Sequence, residues 1–281
     1  MRLVRNLLKK VRNVYSSPRD VFLKQYGEKR TGTNFIRAAL LANYTNAVPL
    51  MHALGDKHSP PVDLRVHLDG TALSDDPARE FVGSATFAVP AESTRADDPD
   101  QAEYLNKIAP ALASSVREGR LGFLISLKHP RPWVVSIANY NGWITKVNGC
   151  WQMGLELAPE LEAVCKGYNK RHESWLALHL ENETRSMLVH HERLIDHADA
   201  VMGDIEDKFD LQRRNWSLEL PEKKVEPAQW DHNSTGPVHA FDSDYYRSKR
   251  YEEVLGPELW AVVERAIDWK LMERFGYGRE P

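Results

Sequence analysis

Gly27-Glu28-Lys29-Arg30-Thr31-Gly32-Thr33-Asn34 sets two glycines apart by four residues, a spacing that lets a loop turn its backbone N–H groups onto a phosphate at the start of a helix. The flanks agree. Val21 to Tyr26 is short and rich in β-formers, and after the loop Phe35, Ile36, Ala39, Leu40 and Tyr44 recur at helical intervals from Asn34 onward. The order is strand, glycine loop, helix. A nucleoside triphosphatase follows its second glycine with lysine, for the β- and γ-phosphates, and then Ser or Thr, for Mg²⁺. Thr33 and Asn34 hold those places here, and the cation is Arg30, two positions ahead of Gly32. The charge has moved to the front of the loop.

Arg30-Thr31-Gly32-Thr33-Asn34 resembles the 5′-phosphosulfate loop of the sulfotransferase superfamily, in the form that carries arginine where lysine is commoner. The resemblance implies that Arg30 contacts the bridging oxygen and the transferring sulfonyl group, while Thr31, Gly32, Thr33 and Asn34 cradle the 5′-phosphate. Sulfonyl transfer leaves charge on that phosphate, which a fixed cation and backbone donors stabilise without a metal. It implies as co-substrate 3′-phosphoadenosine-5′-phosphosulfate, whose 3′-phosphate needs a second anion site. Sulfotransferases place there a basic residue at a strand end and a serine eight residues on, and Lys128 and Ser136 match that spacing. The family usually has arginine at the position of Lys128. Lysine keeps the charge and loses the bidentate fork, and Arg131 stands near enough to share the task. Tyr168 to Trp175 resembles the family's long helix, and Leu188 to Leu194 its passage from strand to short helix, with Glu192 in a structural role. The resemblance touches about half of the chain.

Transfer to a hydroxyl needs a group to take the acceptor's proton. Some bacterial-type relatives with a similar loop place a Lys-His pair on the strand after the first helix. Lys57-His58 matches that pair, with Asp56 where an aromatic residue is common and Ser59-Pro60-Pro61 following. His67 and Glu28 are the alternates. His190-His191 does not read as a metal site, since neighbours in a strand face opposite ways and only Glu192 stands close by. No metal is expected.

The elements that must hold these groups alternate β and α, which predicts a three-layer α/β/α fold around a central, mostly parallel sheet, the P-loop-like sulfotransferase architecture. Leu121 to Leu127 is a continuous apolar run, the pattern of a strand covered on both faces and adjacent to the first. Pro130 and Pro132 end it, and the spacing predicts a helix over Trp133 to Ile144 with Pro132 near its first position. Further helices are expected over Glu160 to Leu180, His191 to Met202 and Pro257 to Phe275, with a strand at Met187 to His190. Ser59 to Asp100, rich in Pro and Asp, reads as an insertion with a strand at Val62 to Leu68. Gln212 to Asp244 reads as a long loop bearing Trp216 and Trp230. These two irregular regions would choose the acceptor, a carbohydrate or glycolipid by resemblance, with the tryptophans free to stack on a ring.

Composition bounds the rest. The chain has 281 residues with 42% hydrophobic and 27% charged, an ordinary globular balance that excludes disordered, collagen-like and coiled-coil classes. Residues 1–20 read as a basic N-terminal helix and 21–281 as one domain. A net charge of −3, from 37 basic and 40 acidic residues, gives no global pull toward nucleic acid. Met1 to Val14 is basic and amphipathic; packing on its own domain is one reading and weak contact with an anionic membrane surface another. Cys150 and Cys165 are too few for a disulfide framework. With no apolar run long enough to span a bilayer, this points to the cytoplasm. A P-loop kinase-like phosphotransferase is the competing enzyme, opposed by Thr33 and by the lack of a clear strand-end Asp for magnesium. A non-catalytic nucleotide-binding relative is the third reading.

Overall fold

The computed structural model describes residues 19–61 apart from 51–53 and 55, residues 111–221 apart from 113, 117, 148, 149 and 154–156, and residues 246–279. The expected N-terminal helix, the strand at Val62 to Leu68 and most of the insertion lie outside the described residues, as do 222–245.

Four strands form one parallel sheet: β1 (Val21–Gly27), β2 (Ala47–Leu50), β3 (Leu121–Leu127) and β6 (Ser186–His190), in the order β2-β1-β3-β6. Every residue of β1 and of β3 is buried, as a strand covered on both faces requires. The register pairs Gly27 with Ser126 and Leu127 with His190. The loops after β1, β3 and β6 therefore emerge side by side at the carboxyl edge. Chain direction diverges between β1 and β3, where the order steps outward to β2 on one side and to β6 on the other. That is where open α/β sheets leave a crevice for ligands.

One face of the sheet packs against α1 (Thr33–Asn43) and α5 (Ala198–Phe209), joining Leu23, Leu124 and Val189 to Ile36, Leu40, Val201 and Ile205. The other face packs Phe22, Tyr26, Phe123 and Ile125 against α2 (Pro130–Tyr140), α3 (Leu157–Glu181) and α6 (Pro257–Ala266). The layers are α/β/α. Gly122 makes close packing possible on the first face, since a Cβ there would lie 2.4 Å from Phe209 Cε1.

Several boundaries differ from the sequence reading. The helix expected over Trp133 to Ile144 runs from Pro130 to Tyr140, because both prolines fit within its first turn, where their missing N–H groups have no helical partner. The His129 ring caps it, accepting from Arg131 N at 3.3 Å. Ile144 opens instead a hairpin, β4 (Ile144–Val147) against β5 (Cys150–Met153), which the periodicity missed. The helix after β6 divides at His197 (φ −144°, ψ 53°) into α4 (His191–Asp196) and α5. The C-terminal helix divides at Ile267 and Asp268 into α6 and α7 (Trp269–Glu273), with Asp268 capping the second. Among the described residues no helix is long and apolar enough to cross a membrane, and Cys165 is a buried thiol.

α3 carries an aromatic stack into the second core: Tyr168 lies 3.7 Å from His172, and His172 meets Trp175 and Phe275 edge-on at 4.9 and 5.6 Å. His172 Nδ1 donates to the Tyr168 carbonyl at 2.9 Å, and Nε2 has no partner among the described residues. Burial pushes its pKa down from 6.5 to about 3. The unfolded chain then takes up this proton first, so stability is full above 6.5 and is lost as pH falls toward 3. Thermal midpoints measured from pH 7 to 4 are expected to fall steadily, and His172→Phe is expected to flatten the fall; an unchanged slope would show that other groups govern acid unfolding.

Candidate active site

The chain leaves β1 at Gly27, where a Cβ would sit 2.7 Å from the Ser126 carbonyl oxygen and 2.8 Å from Ser126 Cβ. Only glycine allows β1 and β3 to run so close at this point. The next residue, Glu28, turns inward and pairs with Arg171 of α3. Thr31 Oγ1 donates back to the Glu28 carbonyl at 2.7 Å, and Trp133 Nε1 donates to the Lys29 carbonyl at 3.2 Å. These bonds hold Arg30 at φ 72°, a left-handed conformation that costs a non-glycine residue about 1–3 kcal/mol. Gly32 follows at φ 83° as the residue before α1. The first turn of α1 has no side-chain cap and no acidic residue, so its N–H groups and the positive end of the helix dipole face outward for an anion.

The cations of the loop are exposed. Lys29 Nζ and Arg30 Cζ stand 5.4 and 5.9 Å from the ring centroid of Tyr140, at the end of α2.

Lys57 and His58 do meet this loop, though from a turn beyond β2 and not from the strand itself. Gly27 N donates to the Lys57 carbonyl at 2.9 Å, which fastens the turn to the cradle. Lys57 Nζ donates to Asn34 Oδ1 at 2.7 Å and to Thr33 Oγ1 at 3.2 Å. Burial, with Arg37 nearby, lowers its pKa from 10.5 to about 8. His58 Nδ1 donates to the Gly27 carbonyl at 2.6 Å. A carbonyl only accepts, so the neutral ring carries its proton on Nδ1 and its lone pair on Nε2. Burial and the Lys57 charge hold its pKa down at about 4. Of the alternates, His67 lies outside the described residues. Glu28 is committed to Arg171, with burial raising its carboxyl to about 7 against that pairing.

Lys128 ends β3 fully buried. Its Nζ donates to Ser136 Oγ at 2.8 Å, to Tyr246 Oη at 3.3 Å and, at the limit of a hydrogen bond, to the Arg30 carbonyl at 3.5 Å. No carboxylate among the described residues is within ion-pair distance of it. Burial lowers its pKa, and an ammonium in that state gains most from an anion. The backbone around it is fixed from two sides: Tyr168 Oη donates to the Lys128 carbonyl at 2.7 Å, and His129 N donates to Glu192 Oε1 at 2.8 Å. Glu192 Oε2 accepts from Tyr277 Oη at 2.8 Å, so this carboxylate ties β3, α4 and the C-terminal segment together.

One expectation changes. Arg131 does not turn toward Lys128; its Nε donates to Glu264 Oε1 at 2.8 Å and its Nη1 lies 3.4 Å from Glu252 Oε1. The described part of the tryptophan-bearing loop lies at the opposite edge of the sheet. Thr45 N donates to the Gln212 carbonyl and Arg214 N to the Asn43 carbonyl, beside the start of β2. Trp216, fully exposed there, is removed from the cradle by the length of α1, and Trp230 lies outside the described residues. His190 packs on Tyr277 and His191 on Tyr246.

Arg171, Tyr168 and Tyr246 belong to this site, and sequence reasoning gave them no role there. Tyr168 and Arg171 share one face of α3 at helical spacing, the only signal available for them; Tyr246 is 118 residues from Lys128, with no signal at all.

No family model matches the chain, and a comparison with curated proteins found no match. Among solved structures it is similar to a sulfotransferase domain from the Synechococcus PCC 7002 olefin synthase, with 14% identity, a TM-score of 0.46, and coverage of 94% of this chain and 97% of that one. It is also similar to a sulfotransferase domain from the curacin biosynthetic pathway, with 12% identity, a TM-score of 0.44, and coverage of 94% and 100%.

Lys128→Met removes a buried charge at similar volume and with it the cost of holding an ammonium away from water. The ligand-free thermal midpoint is expected to rise while affinity for inorganic pyrophosphate and phosphorylated nucleotides falls. A lowered midpoint would show that the ammonium holds the fold together instead of awaiting an anion.

Proposed function

We propose that the chain transfers the sulfonyl group of 3′-phosphoadenosine-5′-phosphosulfate to a hydroxyl acceptor and releases 3′-phosphoadenosine-5′-phosphate. The observation that carries this reading is the pairing of two anion positions on one sheet edge. One is a glycine cradle whose cation precedes its second glycine; the other is a buried Lys128 beside Ser136, without an ion-pair partner among the described residues. A donor with phosphate at both its 3′ and 5′ positions matches that pair. A triphosphate held by a lysine after the second glycine does not, since Thr33 and Asn34 stand there.

In this reading the first turn of α1, Thr31 and Thr33 hold the 5′-phosphate, and Arg30 and Lys57 face the charge that grows on the bridging oxygen as the sulfur–oxygen bond breaks. The acceptor oxygen forms the new bond to sulfur while its proton passes to His58 Nε2, the nitrogen that the Gly27 contact leaves unprotonated. Protonated His58 then sits near Lys57, which favours rapid loss of the proton to solvent. Carbohydrate or glycolipid hydroxyls are the first acceptors to assay.

Transfer needs His58 neutral and Lys57 charged. The kcat/KM profile is therefore expected to fall below about 4 as His58 gains its proton and above about 8 as Lys57 loses its own. His58→Ala is expected to lower kcat by ~10²–10⁴-fold with the acid limb removed. Release of the desulfonated nucleotide should depend on acceptor; nucleotide binding without turnover across a broad panel of hydroxyl acceptors would leave a binding protein.

A further inference from the structure

Lys128 has two hydroxyl partners, and only one of them lies on its own helix-and-strand unit. Ser136 reaches it from α2; the second, Tyr246, arrives from a segment near the C-terminus and joins β3 to α4. Tyr246 Oη lies 3.3 Å from Lys128 Nζ, and the face of its ring lies 4.6 Å from the same nitrogen. The Ser136 hydroxyl lies close enough to the phenol to help lower its pKa. The ring is backed by His191, 5.4 Å away and edge-on, and His191 in turn lies close under Gly32, whose Cβ position is 3.5 Å from His191 Cδ2. A continuous packed path thus runs from the phenol to the cradle.

Ammonium, serine hydroxyl and phenol form a triangle in which every corner can donate a hydrogen bond. Burial alone would raise the phenol's pKa, but Lys128 and the bonds from Ser136 and Lys128 outweigh it and lower the value, which makes the hydroxyl a better donor. His191 adds no competing carboxylate; burial, then Lys128 and Arg30, keep it neutral. Among the described residues the groups that face the phenol include Arg30 from the loop, Ser136 from α2, His191 from α4 and, farther off, Glu192, whose two oxygens accept from His129 N and Tyr277 Oη.

We propose that Tyr246 is a third ligand of the second anion site, its phenol donating to the 3′-phosphate that Lys128 and Ser136 also hold, so that it helps to select nucleotides phosphorylated at that position. This rests on the function proposed above. In the absence of ligand the same phenol oxygen accepts from the ammonium, with its ring 4.6 Å away, so binding turns the hydroxyl from an acceptor on Lys128 into a donor to a charged phosphate.

The test compares the full-length chain with Tyr246→Phe, which keeps the ring over Lys128 and removes only the hydroxyl. Affinities are measured by calorimetry for 3′-phosphoadenosine-5′-phosphate and for adenosine 5′-phosphate, which lacks the 3′-group. The unmodified chain is expected to prefer the first. Tyr246→Phe is expected to weaken that binding by ~10- to 100-fold, as loss of a bond to a charged group does, and to leave adenosine 5′-phosphate unchanged. Equal loss for both nucleotides, no loss, or tighter binding by Tyr246→Phe would overturn the assignment, the last by showing that the phenol blocks the site. Should the unmodified chain itself show no preference for the 3′-phosphate, the proposed co-substrate falls and not merely the role of Tyr246. Ligand-free thermal midpoints of both proteins establish that the variant is folded.

Discussion

An ammonium buried at the carboxyl end of a central strand, with a serine, a phenol and a carbonyl around it and no counter-charge among the described residues, is an unstable arrangement for a protein to keep. Lys128 is held there by structure on every side. β3 is covered on both faces, Tyr168 of α3 pins the carbonyl of Lys128 itself, and Glu192 of α4 pins the next backbone N–H. Such investment in holding a cation away from water makes physical sense when an anion completes the site.

The same sheet edge explains why the cradle lies beside it. Parallel strands in register deliver their following loops together, and the divergence between β1 and β3 leaves room between those loops. Gly27 lets β1 approach Ser126 closely, so the backbone of the cradle begins against β3 and reaches Lys128 through the Arg30 carbonyl. The turn at Lys57 and His58 is fastened to Gly27 through two backbone groups, an N–H to the Lys57 carbonyl and a carbonyl to the His58 ring. One glycine therefore sets the strand spacing, the loop's entry and the tautomer of the histidine.

Much of this was legible in the amino-acid sequence because it is local. The apolar run from Leu121 to Leu127 is β3 to the residue, and the glycine spacing marks the loop before α1. Lys57 and His58 were placed near the cradle through resemblance, and the structure brings both to Gly27, Thr33 and Asn34, although from a turn. What escaped notice depends on contacts distant in sequence or on cap chemistry. Helix α2 begins three residues early because His129 caps it; α4 and α5 part at His197. The β4–β5 hairpin had a signal, Asn148-Gly149 between short β-forming runs, that the prolines and tryptophans nearby obscured. Arg131 was close to Lys128 in sequence but is drawn away by Glu264 and Glu252. Tyr246 and Arg171 take their roles from the packing of elements that the sequence does not place together.

If one edge of this sheet binds a nucleotide through two separate phosphates, that nucleotide must stabilise the fold. The most direct measurement is the thermal midpoint of the chain with saturating 3′-phosphoadenosine-5′-phosphate and, in parallel, with ATP plus Mg²⁺. Ligand at a hundredfold excess over Kd adds about 2.7 kcal/mol, which for a domain of this size raises the midpoint by roughly 5–10 °C. A rise with the 3′-phosphorylated nucleotide and none with ATP and Mg²⁺ is expected. A rise with ATP and Mg²⁺ alone would contradict it and would make the cradle a triphosphate site.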